Sequence, residues 1–336
     1  MKRRVIFRVD GNSQIGLGHI VRCCAFAEML RMDFEILFSV ISPSESIKQI
    51  INSVSTHITE LSDKDELVFF KSLEKNDIVI LDGYAFSSEY QKSIKGKGCK
   101  LICIDDLHSI HFVADAVINQ SASVSIQEYS IEDYTKLYLG FDYALLRTPF
   151  LIVAKIKREI GNVSKAFVSM GGADSNNVSL KVIDAIIESG RFNLVNVLIG
   201  SANKNTELIK EYTKKQSNFR IQLHLDLSAE QVFKTIQGSD VAFCPASSIA
   251  LECCAVGIPL FVGFTADNQI GILNTLVKKG AAINVGNWNE LDSSKIASKI
   301  NECDFSIDFC NSMIDGQKKL IDGKSGSRLL EIVKIL

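Results

Sequence analysis

Val5-Ile6-Phe7-Arg8-Val9-Asp10-Gly11-Asn12-Ser13-Gln14-Ile15-Gly16-Leu17-Gly18-His19-Ile20-Val21-Arg22 is the stretch that decides the fold. An apolar run gives way to a polar loop in which two glycines flank one leucine. The loop opens into an apolar-periodic segment that continues to Arg31. That order reads as strand, glycine loop, helix. Glycine has no Cβ, so the loop can turn tightly and bring its backbone close to a ligand. In an open α/β sheet, ligands bind beyond the carboxyl ends of the strands, which is where His19 falls. A histidine in this place fits either a reactive group or a packed residue at an ordinary strand-to-helix turn. The stretch alone supports both.

Working outward, the 336 residues exceed the ~100–200 usual for one domain and suggest two. A hydrophobic content of 46% with 23% charged residues is ordinary for a globular protein. The net charge of −2 argues against an extended nucleic-acid surface, so no nucleic-acid partner is expected. No apolar run approaches the ~20 residues needed to cross a bilayer, so membrane insertion is not expected. Arg8 and Asp10 interrupt the first apolar run too early for a signal peptide. Nine cysteines without a CxxC spacing, mostly in apolar surroundings, read as buried reduced thiols of a cytoplasmic protein.

Alternating signals predict strands over 5–10, 34–40, 78–82, 100–105 and 116–119, with helices over 20–31, 44–51, 65–73 and 87–95. Continuous apolar strands such as Ile78-Val79-Ile80-Leu81 imply a parallel sheet covered on both faces. A change of pattern with Pro149 places a linker at 148–163, separating domains at 1–147 and 164–336. A second alternation follows, with strands over 166–170, 194–199, 220–224, 241–244, 260–264 and 282–285. The tail from Ser293 reads as helical and belongs with the second domain. The economical architecture is two doubly wound, Rossmann-like α/β domains facing each other across a cleft.

Three stretches of the second half bear on chemistry. Met170-Gly171-Gly172-Ala173-Asp174 follows its first strand, with Ser175 placed to cap the next helix. Paired glycines there suit either a phosphate, held by free N–H groups and the helix dipole, or a plain tight turn. Ser247 and Ser248 follow the strand at 241–244. Glu252 lies one helical turn beyond Ser248 on the same face, where a carboxylate can accept both hydroxyls of a ribose. The same residues also fit a helix-start device. Asn268 and Gln269 follow the strand at 260–264 with amides suited to sugar hydroxyls, acetamides or phosphate oxygens, or to a first helical turn. His108 and His111 have HxxH spacing without a third ligand, so no metal is expected. Asp105-Asp106 fits a paired-carboxylate unit less well than a solvated strand end.

The motif RxDxxxxIGxGHxxR, here Arg8, Asp10, Ile15, Gly16, Gly18, His19 and Arg22, resembles the opening of the UDP-sugar hydrolases of the pseudaminic acid pathway. The resemblance continues through Asp82-Gly83-Tyr84, Asp105-Asp106, the stretch from Gly140 to Arg147, Gly171-Gly172 with Asp174, Ser247-Ser248 with Glu252, and Asn268-Gln269. It runs in order to about Val285. Departures are Gly83, where some relatives have His, and Gly11-Asn12 in place of a serine-rich pair. These hydrolases are similar to GT-B glycosyltransferases, which implies a GT-B-like fold with UDP held mainly by the second domain.

The resemblance makes His19 the general base. It places Asp10, Gly16, Gly18, Arg22, Tyr84, Asn268 and Gln269 at the substrate, and Gly171, Gly172, Ser247, Ser248 and Glu252 at the nucleotide. It implies hydrolysis of a UDP-linked 2,4-diacetamido-2,4,6-trideoxy sugar. Because UDP is already a good leaving group, the expectation is inverting attack of water with C–O cleavage, without cofactor or metal, and the chain is expected to act as a monomer. A GT-B glycosyltransferase using a UDP-sugar donor is the first alternative. A nucleotide-sugar-binding protein without catalysis is the second.

Overall fold

The computed structural model describes residues 2–12, 17–62 and 66–336. The chain divides into two compact units, Met1–Thr148 with Lys324–Leu336, and Pro149–Gly323. The first unit contains strands β1 (Arg4–Val9), β2 (Glu35–Ile41), β3 (His57–Leu61), β4 (Ile78–Asp82), β5 (Lys100–Ile104), β6 (His111–Phe112), β7 (Ala116–Asn119), β8 (Ser130–Ile131) and β9 (Lys136–Leu139). Its helices are α1 (Gly18–Leu30), α2 (Glu45–Asn52), α3 (Glu66–Ser72) and α4 (Ser88–Lys95). Seven strands form one sheet in the order β3-β2-β1-β4-β5-β7-β9, with β6 and β8 as a separate short ladder.

All pairings in the large sheet are parallel. The chain runs outward from β1 to β3, then returns to place β4 on the other side of β1. The crevice between β1 and β4 is therefore the topological switch point, the place where an open α/β sheet leaves room for a ligand. Edge strand β3 escapes the sequence patterns because His57-Ile58-Thr59-Glu60-Leu61 is half polar and mostly solvent-facing.

Side-chain parity sorts the two layers. Val5, Phe7 and Val9 of β1 pack with Ile78 and Ile80 of β4 and with the apolar face of α1. Ile6, Val79 and Leu81 pack on the opposite face with Phe69, Phe86 and Ile94. Val9 and Asp82 are register partners. Asp82 therefore emerges on the α1 side, at the last position of a strand with no exposed residue.

The second unit runs from α5 (Thr148–Val153) through β10 (Lys165–Val168), α6 (Val178–Ser189), β11 (Leu194–Ile199), α7 (Thr206–Lys215), β12 (Arg220–Leu225), α8 (Ala229–Gln237), β13 (Val241–Pro245) and α9 (Ser248–Val256). It continues with β14 (Leu260–Phe264), α10 (Ile270–Lys278), β15 (Ile283–Asn287), α11 (Ser293–Glu302) and α12 (Ile307–Leu320). Its sheet is again parallel, in the order β12-β11-β10-β13-β14-β15, with the switch point between β10 and β13. Trp288 is fully buried under this sheet and donates its indole N–H to the Cys244 carbonyl.

Two boundaries differ from the sequence reading. The stretch 148–163 is not a free linker throughout, since it begins with α5. The final helix α13 (Ser325–Lys334) leaves the second unit and packs its Leu329, Ile332 and Val333 into the first unit's core. An amphipathic helix goes where its apolar stripe is covered, and neighbours in sequence do not determine that. Among the described residues, no helix is long and apolar enough to cross a membrane.

Candidate functional site

The switch point of the first unit holds a group of charged side chains that the chain supplies from three separate strand ends. His19 and Arg22 lie three residues apart on the first turns of α1, and so share a face. Asp82 comes from the end of β4, and Asp106 from the loop after β5. Asp82 is fully buried, and its carboxylate accepts from His19 Nδ1 at 2.6 Å and from Arg22 Nε and Nη2, both at 2.6 Å. The Cys23 thiol donates to the same carboxylate at 3.4 Å. Arg22 Nη1 then reaches both oxygens of Asp106 at 2.8 Å. Tyr84 stands edge-on to the His19 ring, with centroids 5.0 Å apart, and its hydroxyl donates to Asp106 at 3.3 Å.

Burial by itself would raise the Asp82 carboxyl, but the Arg22 charge and the hydrogen bonds from Arg22 and His19 reverse that. They hold it well below the usual carboxylate range. Burial likewise disfavours the Arg22 cation, and the facing Asp106 and Asp82 overcome it and raise its pKa well above the ordinary value. Asp82 is thus a carboxylate at neutral pH, and a carboxylate has no proton to give. The 2.6 Å contact therefore requires that His19 carry its proton on Nδ1. The acceptor lone pair is left on Nε2. Arg22 Nη2 lies 3.1 Å from the same Nδ1, so a cation stands beside a nitrogen that is already donating.

The other first-unit residues expected at the substrate are placed as follows. Tyr84 is half-exposed beside His19. Gly18 is the first residue of α1, and a Cβ there would meet no other element within 4 Å among the described residues. Asp10 contacts other partners than the His19 group among the described residues. Its carboxylate accepts from the Ile41 N–H at 2.8 Å and pairs with the buried Arg8 guanidinium at 2.7 Å. Arg8 in turn lies over the Phe86 ring on the opposite face of the sheet. Gly16 and Ile15 lie outside the described residues.

Asp105 and Asp106 are not a paired acid/base unit. Asp105 ties the following loop by accepting from the Leu107 and His108 N–H groups and from the Tyr129 hydroxyl, while Asp106 faces Arg22. His108 and His111 also part, His108 to Glu128 and His111 to Ser130 and Glu132.

In the second unit, the predicted nucleotide segments follow adjacent strands at one edge of the sheet. Gly171 has φ +86°, a left-handed conformation that glycine adopts freely, with open space where a Cβ would point. Gly172 is packed against the loop after β11: a Cβ on Gly200 would sit 2.6 Å from Gly172 Cα. The N-cap position is Asn177, which makes no side-chain cap bond, and it is the Asp174 carboxylate, not Ser175, that accepts from the Val178 and Ser179 N–H groups at 2.8 and 3.0 Å. Its two oxygens each satisfy one of the orphan donors of the first helical turn.

Across the switch point, Ser247 precedes α9 with no side-chain cap bond, and Ser248 begins the helix. Glu252 is buried one turn further on. Asn268 lies in the short turn after β14. Gln269 closes that turn by accepting from the Thr265 N–H at 2.8 Å.

Asp82, Asp106 and Asn289 are absent from the site residues drawn from the sequence. Asn289 links two loops of the nucleotide edge by donating to the Thr265 carbonyl and accepting from the Asn176 amide. For the aspartates a signal existed, since the polar strand ends at Asp10, Asp82 and Asp105-Asp106 are expected to cluster on one edge of the sheet, but nothing local singled out Asp82 and Asp106 as the partners of His19 and Arg22.

The fold is α/β of the GT-B type, with two Rossmann-like units. MurG of Acinetobacter baumannii superposes with a TM-score of 0.66, covering 99% of this chain and 100% of that one at 11% identity. In sequence the chain is similar to the UDP-2,4-diacetamido-2,4,6-trideoxy-β-L-altropyranose hydrolase of Campylobacter jejuni, with 28% identity over 82% of this chain and 97% of that protein. It is also similar to the spore coat polysaccharide biosynthesis protein SpsG of Bacillus subtilis, at 23% identity over 97% and 96% of the two chains. No family model matches.

Proposed function

We propose that this protein is a hydrolase that cleaves UDP from a UDP-linked 2,4-diacetamido-2,4,6-trideoxy sugar by attack of water at the anomeric carbon. The observation that supports it most is the 2.6 Å contact of His19 with a buried, ionised Asp82. It fixes the tautomer that leaves Nε2 free to accept a proton. The kinship with the C. jejuni hydrolase supplies the substrate class.

In the proposed step, water gives a proton to His19 Nε2 while its oxygen bonds to the anomeric carbon from the face opposite UDP. The bond from that carbon to the phosphate oxygen breaks, and the electron pair leaves on UDP. The configuration inverts. UDP is already a good leaving group, so the step needs positioning and diphosphate stabilisation more than acid assistance. Those tasks fall to the second unit: Gly171 and Gly172 with their loop N–H groups, Ser247 and Ser248 for the diphosphate, Glu252 for the ribose, and Asn268 and Gln269 towards the sugar. Tyr84, Gly18, Arg22 and Asp10 shape the sugar's surroundings in the first unit. Asp10 does so through Arg8 and the end of β2. No metal ion is required by this scheme, so UDP release should continue in EDTA.

A GT-B transferase would use the same base on an acceptor hydroxyl, and the MurG-like fold keeps that reading in view. Turnover of the UDP-sugar in ¹⁸O-labelled water decides between them. Label in the free sugar, with UDP unlabelled and no added acceptor, is the expected result. General-base removal in His19→Ala should cost about 10²–10⁴-fold in rate. Label in UDP, release that depends on an acceptor, or undiminished turnover by the variant would each overturn the scheme.

A further inference from the structure

Asp106 is given no part in the reaction step above, yet it is built into the group around His19. Among the described residues, the groups in contact with His19 are Asp82 from β4, Arg22 from α1 and Tyr84 from the loop after β4, while the Cys23 thiol touches Asp82. Among the described residues, Asp106 reaches this set through Arg22 and the Tyr84 hydroxyl.

Charge bookkeeping then poses a problem. When His19 takes a proton it becomes an imidazolium, stabilised by Asp82 at 2.6 Å and opposed by Arg22 at 3.1 Å. Coulomb energy falls as 1/r, so between nearest atoms the opposition amounts to about four-fifths of the attraction. With these two groups alone, Asp82 would be nearly cancelled. Asp106 removes that cancellation, because both of its oxygens lie 2.8 Å from Arg22 Nη1.

We infer that Asp106 is a positioning residue that neutralises Arg22, so that the negative charge of Asp82 remains available to the imidazolium formed on His19. Arg22 is then the clamp that holds both carboxylates, and Asp106 is what makes the clamp tolerable to the base. The catalytic consequence rests on the hydrolase reading. The electrostatic one does not.

Histidine-labelled protein, titrated by NMR, tests it directly. The chain has five histidines, and the His19 signal is identified by its loss in His19→Ala. In Asp106→Asn the His19 midpoint should fall by on the order of one pH unit, since an opposing charge one residue away is unmasked. The acid limb of UDP release should move down by the same amount, and the plateau rate should drop by up to about tenfold, the basicity that one unit represents. Asp106→Glu should restore both. Tyr84→Phe keeps every charge and should leave the midpoint in place.

A midpoint that is unmoved or raised in folded Asp106→Asn overturns the inference. If that variant does not fold, Arg22→Gln and Arg22→Gln/Asp106→Asn are compared. With Arg22 absent, loss of Asp106 should no longer lower the midpoint, and a further fall of a full unit would refute action through Arg22. If the wild type releases no UDP, the hydrolase reading fails while the His19 titration still decides the role of Asp106.

Discussion

Replacing Asp82 by Asn probes the site most sharply, because the shape is kept and one charge is removed. The carboxylate accepts four contacts: three at 2.6 Å from His19 and Arg22, and one from the Cys23 thiol. An amide offers one oxygen and one NH₂. If its oxygen keeps Arg22, its NH₂ faces His19 Nδ1 and donates to it, which moves the ring proton to Nε2 and abolishes the base. The rate of UDP release should then fall about 10²–10⁴-fold, the range seen when a buried carboxylate partner of a catalytic histidine is lost.

Arg22 also loses half of its compensation while staying buried. Breaking one partner of a buried ion pair costs about 3–5 kcal/mol. Against a usual stability of about 5–15 kcal/mol for a folded protein, that is a large share but not necessarily all of it. Activity is therefore best measured near 15 °C, with circular dichroism showing that the variant is folded and thermal melts giving the loss.

The pH dependence supplies a further signature. A carboxyl held below its usual range contributes stability that is fully present above its unfolded pKa of ~3.9 and is lost as pH falls through the folded value. Asp82→Asn should lack that acid-side component. A folded variant with turnover within about threefold of wild type and an unchanged melt would refute the assignment of Asp82, and with it the tautomer argument.

Three further changes test the frame around the site. Gly200→Ala would set a Cβ 2.6 Å from Gly172 Cα, and displacing the glycine pair should weaken UDP binding by roughly tenfold in calorimetry, about 1.4 kcal/mol; unchanged affinity would separate that loop from the nucleotide. Leu329→Ala removes a fully buried side chain of α13 and should cost about 2–5 kcal/mol in urea unfolding, whereas a loss below about 0.5 kcal/mol would show that the last helix is dispensable to the first unit's core. Lys318 donates to the Ala255 carbonyl at 2.6 Å, and burial lowers its pKa from 10.5 to about 8. The unfolded chain holds that proton more firmly, so its contribution makes stability rise with pH between about 8 and 10.5, and Lys318→Met should flatten the profile in that window.

Much of the frame can be read along the chain. The strand at 78–82 coincides with β4, that at 116–119 with β7, and those at 194–199 and 260–264 with β11 and β14. Buried parallel strands and their amphipathic helices have local signatures, since apolar runs and the 3.6-residue period follow from which faces must leave water. For the same reason His19, Tyr84, Gly171, Ser247 and Asn268 are found after strands of the two sheets, in loops or at helix starts. The edge strand β3 lacks such a signature because half of it stays wet. That the Asp174 carboxylate, and not Ser175, accepts from the first helical N–H groups is geometry that the spacing alone does not fix.

What the sequence determined by itself is therefore the succession of strands and helices and the loops on which chemistry could sit. Only the tertiary structure decided that His19, Arg22, Asp82 and Asp106 form one charged group. Their positions span 88 residues from first to last, and they meet because β4 returns to pair beside β1, with Val9 facing Asp82. Pairing between distant strands is settled by the burial of the whole sheet, and no local window of sequence contains it. The destination of α13 is of the same kind: its apolar stripe is plain in the sequence, but the surface that covers it exists only once the first unit has folded.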